Sequence, residues 1–358
     1  MGKRLILALN PGSTSTKFSL YEEKNLIFEN TIRHSTEDLA GFKQISDQFH
    51  FRKNLIMEEL SQRQTDFKRI IAVVGRGGLL KPIESGVYLV NRRMKEDLLS
   101  ARYGQHASNL GALIADDIVE SLPGTVAYIV DPVVVDELQD VARISGHPEI
   151  ERKSIFHALN QKAVARMYAA SVGRRYEDMN LIVAHMGGGI SVGAHHKGFV
   201  IDVNNGLNGD GPLSPERSGG LPAAQLSELC FSGKYTLEEV RSMITGKGGM
   251  VAYLGTNSFL EAGKRAANGD LKAKLIRNAI SYQTSKEIAS MAAVLHGKVD
   301  AIILTGGLTY DDENVSIIKE MIDFIAKVFV YPGEDELKAL TFNGLLALDG
   351  DIEVKNYS

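Results

Sequence analysis

The chain has 358 residues, 44% of them hydrophobic and 23% charged, with a formal net charge of −4 and a single cysteine. That length suits two domains of ordinary size, and the charge balance excludes a whole-protein attraction for nucleic acid or an acidic membrane, so any anion site is local. One cysteine excludes an intramolecular disulfide and fits a reducing compartment.

Residues 5–18, LILALNPGSTSTKF, read as a strand, a glycine turn and a second strand, and 21–33 supply a further strand. Residues 37–66 read as helical and lead to a strand at 69–74. A short strand (85–91) precedes a helix that begins at Arg92. A second helix spans 107–122, with Leu110, Leu113, Ile114, Ile118 and Leu122 on one face. The buried strand 125–132 delivers Asp131 at its C-terminal end, stopped by Pro132. The first domain is expected to end near residue 150. A connecting helix (157–177) introduces 181–202, which repeats the strand, glycine turn, strand pattern and adds a third strand.

The long polar, glycine-rich loop 203–220 is either functional or disordered. Helices follow at 222–231, 236–245 and 270–297, the last carrying an apolar stripe that includes Leu275, Ile280, Ile288 and Met291. Cys230 is expected to be a buried small hydrophobe on a helix. Strand 300–305, helix 312–326, strand 327–331 and helix 335–348 complete the chain. No secretory h-region follows Lys3-Arg4 and no apolar run is long enough to span a bilayer, so a cytoplasmic, non-membrane protein is expected.

The two glycine turns belong to a repeat. At a constant offset of 176, Leu5, Ile6, Ala8, Gly12 and Ser15 fall on Leu181, Ile182, Ala184, Gly188 and Ser191 without a gap. A second echo pairs 69–80 with 300–311, both apolar strands running into Gly-Gly. Glycine turns let backbone N–H groups approach an anion closely. Two similar halves with phosphate-sized loops predict a duplicated α/β fold holding a nucleotide in a cleft between them.

The first turn, NPGSTSTK (10–17), gathers a glycine, four hydroxyls and a lysine, but its spacing is not that of a P-loop and a strand follows it. Arg76, among glycines at a strand end, can fork onto a carboxylate or phosphate. Asp131 sits where ligand crevices open in α/β sheets. Each of these also reads as an ordinary surface arginine or a turn-capping aspartate. His106, His157 and His185 read individually as hydrogen-bonded histidines, and Arg217 as solvent-exposed.

Together, NPGSTSTK, GRGG, GQHASNLG, VDP, FHALNQKAVAR, AHMGGGISVG, PLSPERSGG and LTGGLT resemble, in order and spacing, the acetate and butyrate kinases, which belong with sugar kinases, Hsp70 and actin. The resemblance is nearest to the butyrate kinase branch, which includes branched-chain fatty-acid kinases, and covers essentially the whole chain. It implies duplicated RNase H-like (actin-like ATPase) α/β domains with a central cleft. Residues 1–150 plus 338–358 would form an acyl-substrate domain, and 151–337 a nucleotide-binding domain. The implied reaction is reversible phosphorylation of butyrate or a branched short-chain fatty acid by ATP, with Mg²⁺, in a homo-oligomer. Propionate or acetate kinase is the nearer alternative, and a sugar-kinase-type ATPase the more distant one.

By the same resemblance Asp131, Arg76, Arg217 and His157 would be catalytic. Asn10, Gly12, Ser13, Ser15, His185, Gly187, Gly188, Gly189, Gly306 and Gly307 would hold the nucleotide and its phosphates. Gly78, His106 and Phe156 would line the acyl pocket, and Asn10 and Glu336 would serve the metal. Where the family commonly carries Asp-x-Arg near the base, this chain has Ser258 and Leu260, which leaves base preference open.

A fatty carboxylate, with a pKa near ~4.5, is ionised at neutral pH and needs no general base. Catalysis is then charge neutralisation and in-line alignment of two anions, with domain closure keeping water from the acyl phosphate. Acetate kinases carry valine where Gly78 stands. Glycine there predicts a deeper hole, roughly fifteenfold in affinity for two buried methylenes at about 1.6 kcal/mol.

Overall fold

The computed structural model describes residues 3–358, which group into two compact units. The first holds the chain up to Val135 together with Asp335–Ser358, and the second holds Asp136–Glu334. The chain therefore changes unit at 135/136 and 334/335 instead of near 150 and 337. The physical reason is local bonding within the second unit. The Gln139 N–H donates to Ile201 O at 3.0 Å, Lys162 pairs with Glu137 at 2.9 Å, and Arg152 with Asp202 at 2.9 Å.

The first unit runs β1 (Leu5–Pro11), β2 (Ser15–Glu22), β3 (Asn25–Arg33), α1 (Thr36–Leu39), α2 (Phe49–Gln62), β4 (Ile70–Arg76), β5 (Val87–Leu89), α3 (Arg92–Leu99), α4 (Asn109–Val119) and β6 (Val126–Val130). It closes with α13 (Glu336–Asp349) and β12 (Val354–Asn356). Its seven strands lie in the order β12-β5-β6-β4-β1-β2-β3. The interior strand β1, next to the central β4, is buried along its whole length, with α4 and α13 packed against both.

The second unit runs α5 (Asp140–Arg143), α6 (Ala158–Ser171), β7 (Asn180–Met186), β8 (Ile190–His196), β9 (Phe199–Val203), α7 (Ala223–Cys230), α8 (Leu237–Ile244), α9 (Gly249–Leu254), α10 (Phe259–Ala267), α11 (Leu271–Val294), β10 (Ala301–Gly306), α12 (Asp312–Ile322) and β11 (Val328–Pro332). Its sheet order is β11-β10-β7-β8-β9. Alternation along the strands divides its core. Ile182, Ala184, Ile302 and Leu304 meet Ile276, Ile280, Ile288 and Met291 of α11, whereas Leu181, Val183, Ala301 and Ile303 meet Val164, Ala165 and Tyr168 of α6.

The repeat is carried into topology. In each unit the hairpin strands pair antiparallel, and the first of them pairs parallel with a later strand, β1 with β4 and β7 with β10. A further parallel strand follows, β6 beside β4 and β11 beside β10.

Several expectations change. The segment expected to be helical over 37–66 breaks at Gly41 into two helices and a short 3-10 turn. Helices α5, α9 and α10 and strand β12 are additional. Cys230 is exposed, because no residue of α7 is buried. Leu275 is 65% exposed and lies off the buried face of α11. No helix among the described residues is long and apolar enough to cross a membrane.

Glu287 of α11 is a half-buried carboxyl near Asp210, Asp202 and Arg152. Burial, with Asp210 and Asp202 against Arg152, pushes it up to about 7. Its folded pKa exceeds the unfolded one, so the stability it gives is full below about pH 4.5 and is lost as pH rises through 7. Glu287→Gln is expected to flatten that fall, gaining about 3 kcal/mol over wild type by pH 8. Urea midpoints at pH 5 and pH 8 check it; parallel pH profiles for the two proteins would contradict it.

Candidate functional site

In the first unit, adjacent strands deliver their side chains at their C-terminal ends. Asn10 lies near the end of β1 and Arg76 ends β4. Glu336 opens α13. The Asn10 amide donates to Glu336 Oε2, and Arg76 Nη1 lies 3.1 Å from Glu336 Oε1 and 3.5 Å from Asn10 Oδ1. Asn10 and Glu336 are both buried. Asn10 and Glu336, expected to serve the metal, thus form one cluster with Arg76.

Asp131 follows β6, whose last residue Val130 is the register partner of Arg76. Its φ is +37°, a strained conformation for a residue with a side chain. The Ser85 hydroxyl and the Gly86 N–H donate to its Oδ1 at 2.6 and 2.8 Å. Backbone strain at a strand end, held by specific donors, is a mark of a functional position.

The turn after Asn10 is closed by Gly12 N–H donating to Ser15 O at 2.8 Å. Behind it stands Arg52 of α2, 1% exposed. Its guanidinium donates to Gly12 O (2.7 Å), Ser15 O (3.0 Å), Ser13 O (3.1 Å), Thr16 Oγ1 (3.1 Å) and Gln48 Oε1 (2.7 Å). All five acceptors are neutral, and burial lowers the guanidinium to about 10. By taking the turn's carbonyls on one side, Arg52 fixes the conformation in which Gly12, Ser13 and Ser15 are held.

In the second unit, β7 ends in His185-Met186 and the turn Gly187–Gly189 leads into β8. The loop 203–220 folds onto this turn: Ser214 Oγ and Glu216 N–H both donate to Gly188 O, at 2.7 and 3.0 Å. Arg217 lies over Gly189, where an added Cβ would come within 2.5 Å of Cζ. Arg217 donates to Gly206 O, and burial lowers its pKa against the opposing pull of Glu216. It is thus half-buried and built in, not the solvent-exposed arginine that its loop context suggests.

His157 occupies the position just before α6 and lies against His185, with ring centroids 4.1 Å apart and the planes tilted by 35°. Glu334 bridges them, with Oε1 3.1 Å from His185 Nε2 and Oε2 3.7 Å from His157 Nε2. Burial alone would raise the Glu334 carboxyl, but the two histidines hold it far below the usual range. His185 Nδ1 meets Asn160 Oδ1 at 2.8 Å. Gly306 ends β10 with φ +92° and exchanges backbone hydrogen bonds with Gly333 at 3.1 and 3.2 Å; Gly307 follows it.

The acyl-pocket residues are divided between the two units. His106 bonds Ser108 Oγ at 2.8 Å just before α4, whereas Phe156 belongs to the second unit. Gly78 corrects the volume argument. A Cβ there would lie 2.5 Å from both Cα and Oδ1 of Asn109 and 2.8 Å from its N, so the missing side chain points at the start of α4 and not into open space.

The comparisons with known proteins agree with the motif pattern. Residues 148–334 match the model of the acetokinase family. Butyrate kinases 2 and 1 of Clostridium acetobutylicum are each 55% identical over 98% of this chain and 99% of their own length.

The chain belongs to the acetokinase family.

Solved relatives extend the likeness to the fold. The acetate kinase of Porphyromonas gingivalis superposes with a TM-score of 0.78 at 18% identity, over 96% of this chain and all of that one. A propionate kinase from Francisella tularensis gives 0.75 at 20% identity, over 95% and 98%. The fold is the duplicated actin-like ATPase fold of acetokinases.

Arg52, Glu334, Asn160 and Glu216 escaped the sequence reading. Glu334 adjoins the acidic pair Asp335-Glu336, a run of acids that was the available signal. Arg52 gave none, since a charge within a helical segment reads as surface. Arg52→Lys keeps the charge but cannot reach all five acceptors. It is expected to raise KM for the nucleotide about tenfold, some 1.4 kcal/mol, with kcat less affected. Initial-rate kinetics check this, and an unchanged KM in a folded variant would reduce Arg52 to a structural support.

Proposed function

We propose that this acetokinase transfers the terminal phosphoryl group of ATP to butyrate or a branched short-chain relative, giving an acyl phosphate and ADP reversibly. The near-full-length identity to two butyrate kinases carries the reading. The carboxylate oxygen bonds to the γ-phosphorus as the bond to the bridging oxygen of ADP breaks. No proton is moved, because the acid arrives ionised.

What remains is repulsion between anions, and the residues answer it by charge. In this reading Arg76 holds the carboxylate and Arg217 and His157 take the charge spreading over the transferring group. Asp131 positions, its carboxylate fixed by Ser85 and Gly86. His185 and Gly187–Gly189 receive phosphate oxygens, as does the turn Asn10–Ser15. The amide oxygen of Asn10 and the carboxylate of Glu336 are hard donors of the kind that suits Mg²⁺. Their shared contact with Arg76 places them beside a group that also attracts phosphate. Bound Mg²⁺ would supply charge neutralisation on the phosphate oxygens.

Release of ADP, measured with acetate, propionate, butyrate, isobutyrate, valerate, glucose or no acceptor, tests the proposal. The expected order favours the four- and five-carbon acids. Equal turnover with sugar or without acceptor would overturn it.

Ser258 caps α10 by accepting from the Glu261 N–H at 3.2 Å, and Leu260 is 69% exposed. Neither offers a partner specific to adenine. Turnover with ATP, GTP and ITP at matched concentrations is therefore expected to differ little; a strong preference for ATP would place base recognition elsewhere.

A homo-oligomer is part of this reading, supported by Leu271, Leu275 and Tyr282, exposed along one side of α11. The lone cysteine fits a reducing cytoplasm.

A further inference from the structure

We infer that His157, His185 and Glu334 form a binding site for a borderline transition-metal ion such as Zn²⁺, distinct in chemistry from the Mg²⁺ that accompanies ATP. Their ligand atoms all lie within 4.8 Å of one another, the one such group of three among the described residues. Two imidazole nitrogens and a carboxylate are the donor set of a three-ligand zinc site with an open fourth position, whereas Mg²⁺ prefers oxygen alone.

The spacing fits. Zinc bonds of about 2.0–2.2 Å in a tetrahedron put neighbouring ligand atoms roughly 3.3 Å apart. His185 Nε2 to Glu334 Oε1 is 3.1 Å, and His157 Nε2 to Glu334 Oε2 is 3.7 Å. These two contacts end on the two different carboxylate oxygens, and the ligand nitrogens of the two rings lie within 4.8 Å of each other, so a bound ion would draw the rings and the carboxylate together. The outer contacts fit as well. A metal-bound histidine commonly donates its other ring N–H to an oxygen that fixes the tautomer. The His185 Nδ1–Asn160 Oδ1 bond of 2.8 Å does this, turning Nε2 to the Glu334 side. His185 is buried and His157 half-buried, whereas Glu334 reaches them from the exposed side.

Equilibrium dialysis of the full chain against Zn²⁺ in excess Mg²⁺, with bound metal counted, tests the assignment. One zinc per chain is expected, and Co²⁺ in its place is expected to give the visible absorption of a tetrahedral nitrogen–oxygen site. Glu334→Gln and His185→Gln should each weaken binding by more than a hundredfold. Asn160→Ala should weaken it about 10–100-fold. His196→Gln, at an exposed histidine, should leave it unchanged. Zinc held equally by wild type and Glu334→Gln, or by none of the proteins, overturns the site.

The inhibition that follows rests on the proposed function. Zinc on His157 and His185 would take from ATP two groups assigned to its phosphates and raise its KM. Stoichiometric zinc lost in Glu334→Gln, yet without effect on KM, would leave the metal site standing and count against those phosphate roles.

Discussion

Arg217→Ala is expected to lower kcat/KM by about 10²–10³, the loss of some 3–4 kcal/mol typical of removing a donor to developing charge. The reason is geometric as well as electrostatic. The guanidinium is held over Gly189 by Gly206 O, with burial opposing its charge, so it enters the reaction already oriented and partly desolvated. In the proposed reaction such a group would strengthen its hold as negative charge spreads on the transferring phosphoryl, with little reorganisation.

A second substitution reaches the same arginine from the other side. In Gly189→Ala the new Cβ would overlap the guanidinium, and the side chain must move, although no charge is deleted. Both variants should lose kcat more than substrate binding while keeping the thermal midpoint of the parent within a few degrees. Steady-state kinetics and a melting curve for each suffice. Near-wild-type kcat in Arg217→Ala would remove Arg217 from the reaction, and loss confined to Gly189→Ala would make the turn's backbone, not the arginine, the sensitive part.

Much of this architecture was legible because it is written twice. The offset of 176 located both hairpins, and the pairing of β1 with β2 and of β7 with β8 follows it. Strand ends aimed at glycines likewise showed where Asn10, Arg76 and His185 would emerge, and Pro132 marked the strand end that carries Asp131. What escaped depends on partners distant in sequence. Arg52 is a buried cation only because the carbonyls of residues 12, 13 and 15 turn toward it. Glu334 matters only because α6 and β7 present His157 and His185 to it. Cys230 sits on a helix that buries nothing, which its local pattern did not reveal. The short helices α9 and α10 lie within a glycine-punctuated stretch where the periodicity is too brief to read.

Gly78→Val is expected to damage turnover on every acid alike, not to exchange butyrate for acetate. A deeper acyl pocket requires that the glycine leave space. Instead the Cβ position lies 2.5 Å from the Cα of Asn109, the first residue of α4, and backbone there cannot yield as a flexible side chain would. The conflict begins with the first carbon, so Gly78→Ala shares it. Asn109 is also fixed by its own bonds: its Oδ1 accepts from the Leu79 N–H at 2.8 Å and its amide donates to Gly104 O at 3.0 Å. Moving α4 aside would loosen these and the packing of Leu110 and Ile114, both fully buried. Overpacking of this kind costs typically about 1–3 kcal/mol, and a backbone neighbour puts valine at or beyond the upper end. Melting midpoints should fall in the order wild type, Gly78→Ala, Gly78→Val, with kcat/KM for acetate and butyrate falling together. Retained acetate turnover with selective loss of butyrate would restore Gly78 as the floor of an acyl pocket. Parallel loss would mean that chain-length preference is set by other side chains, with His106 and Phe156 the next positions to substitute.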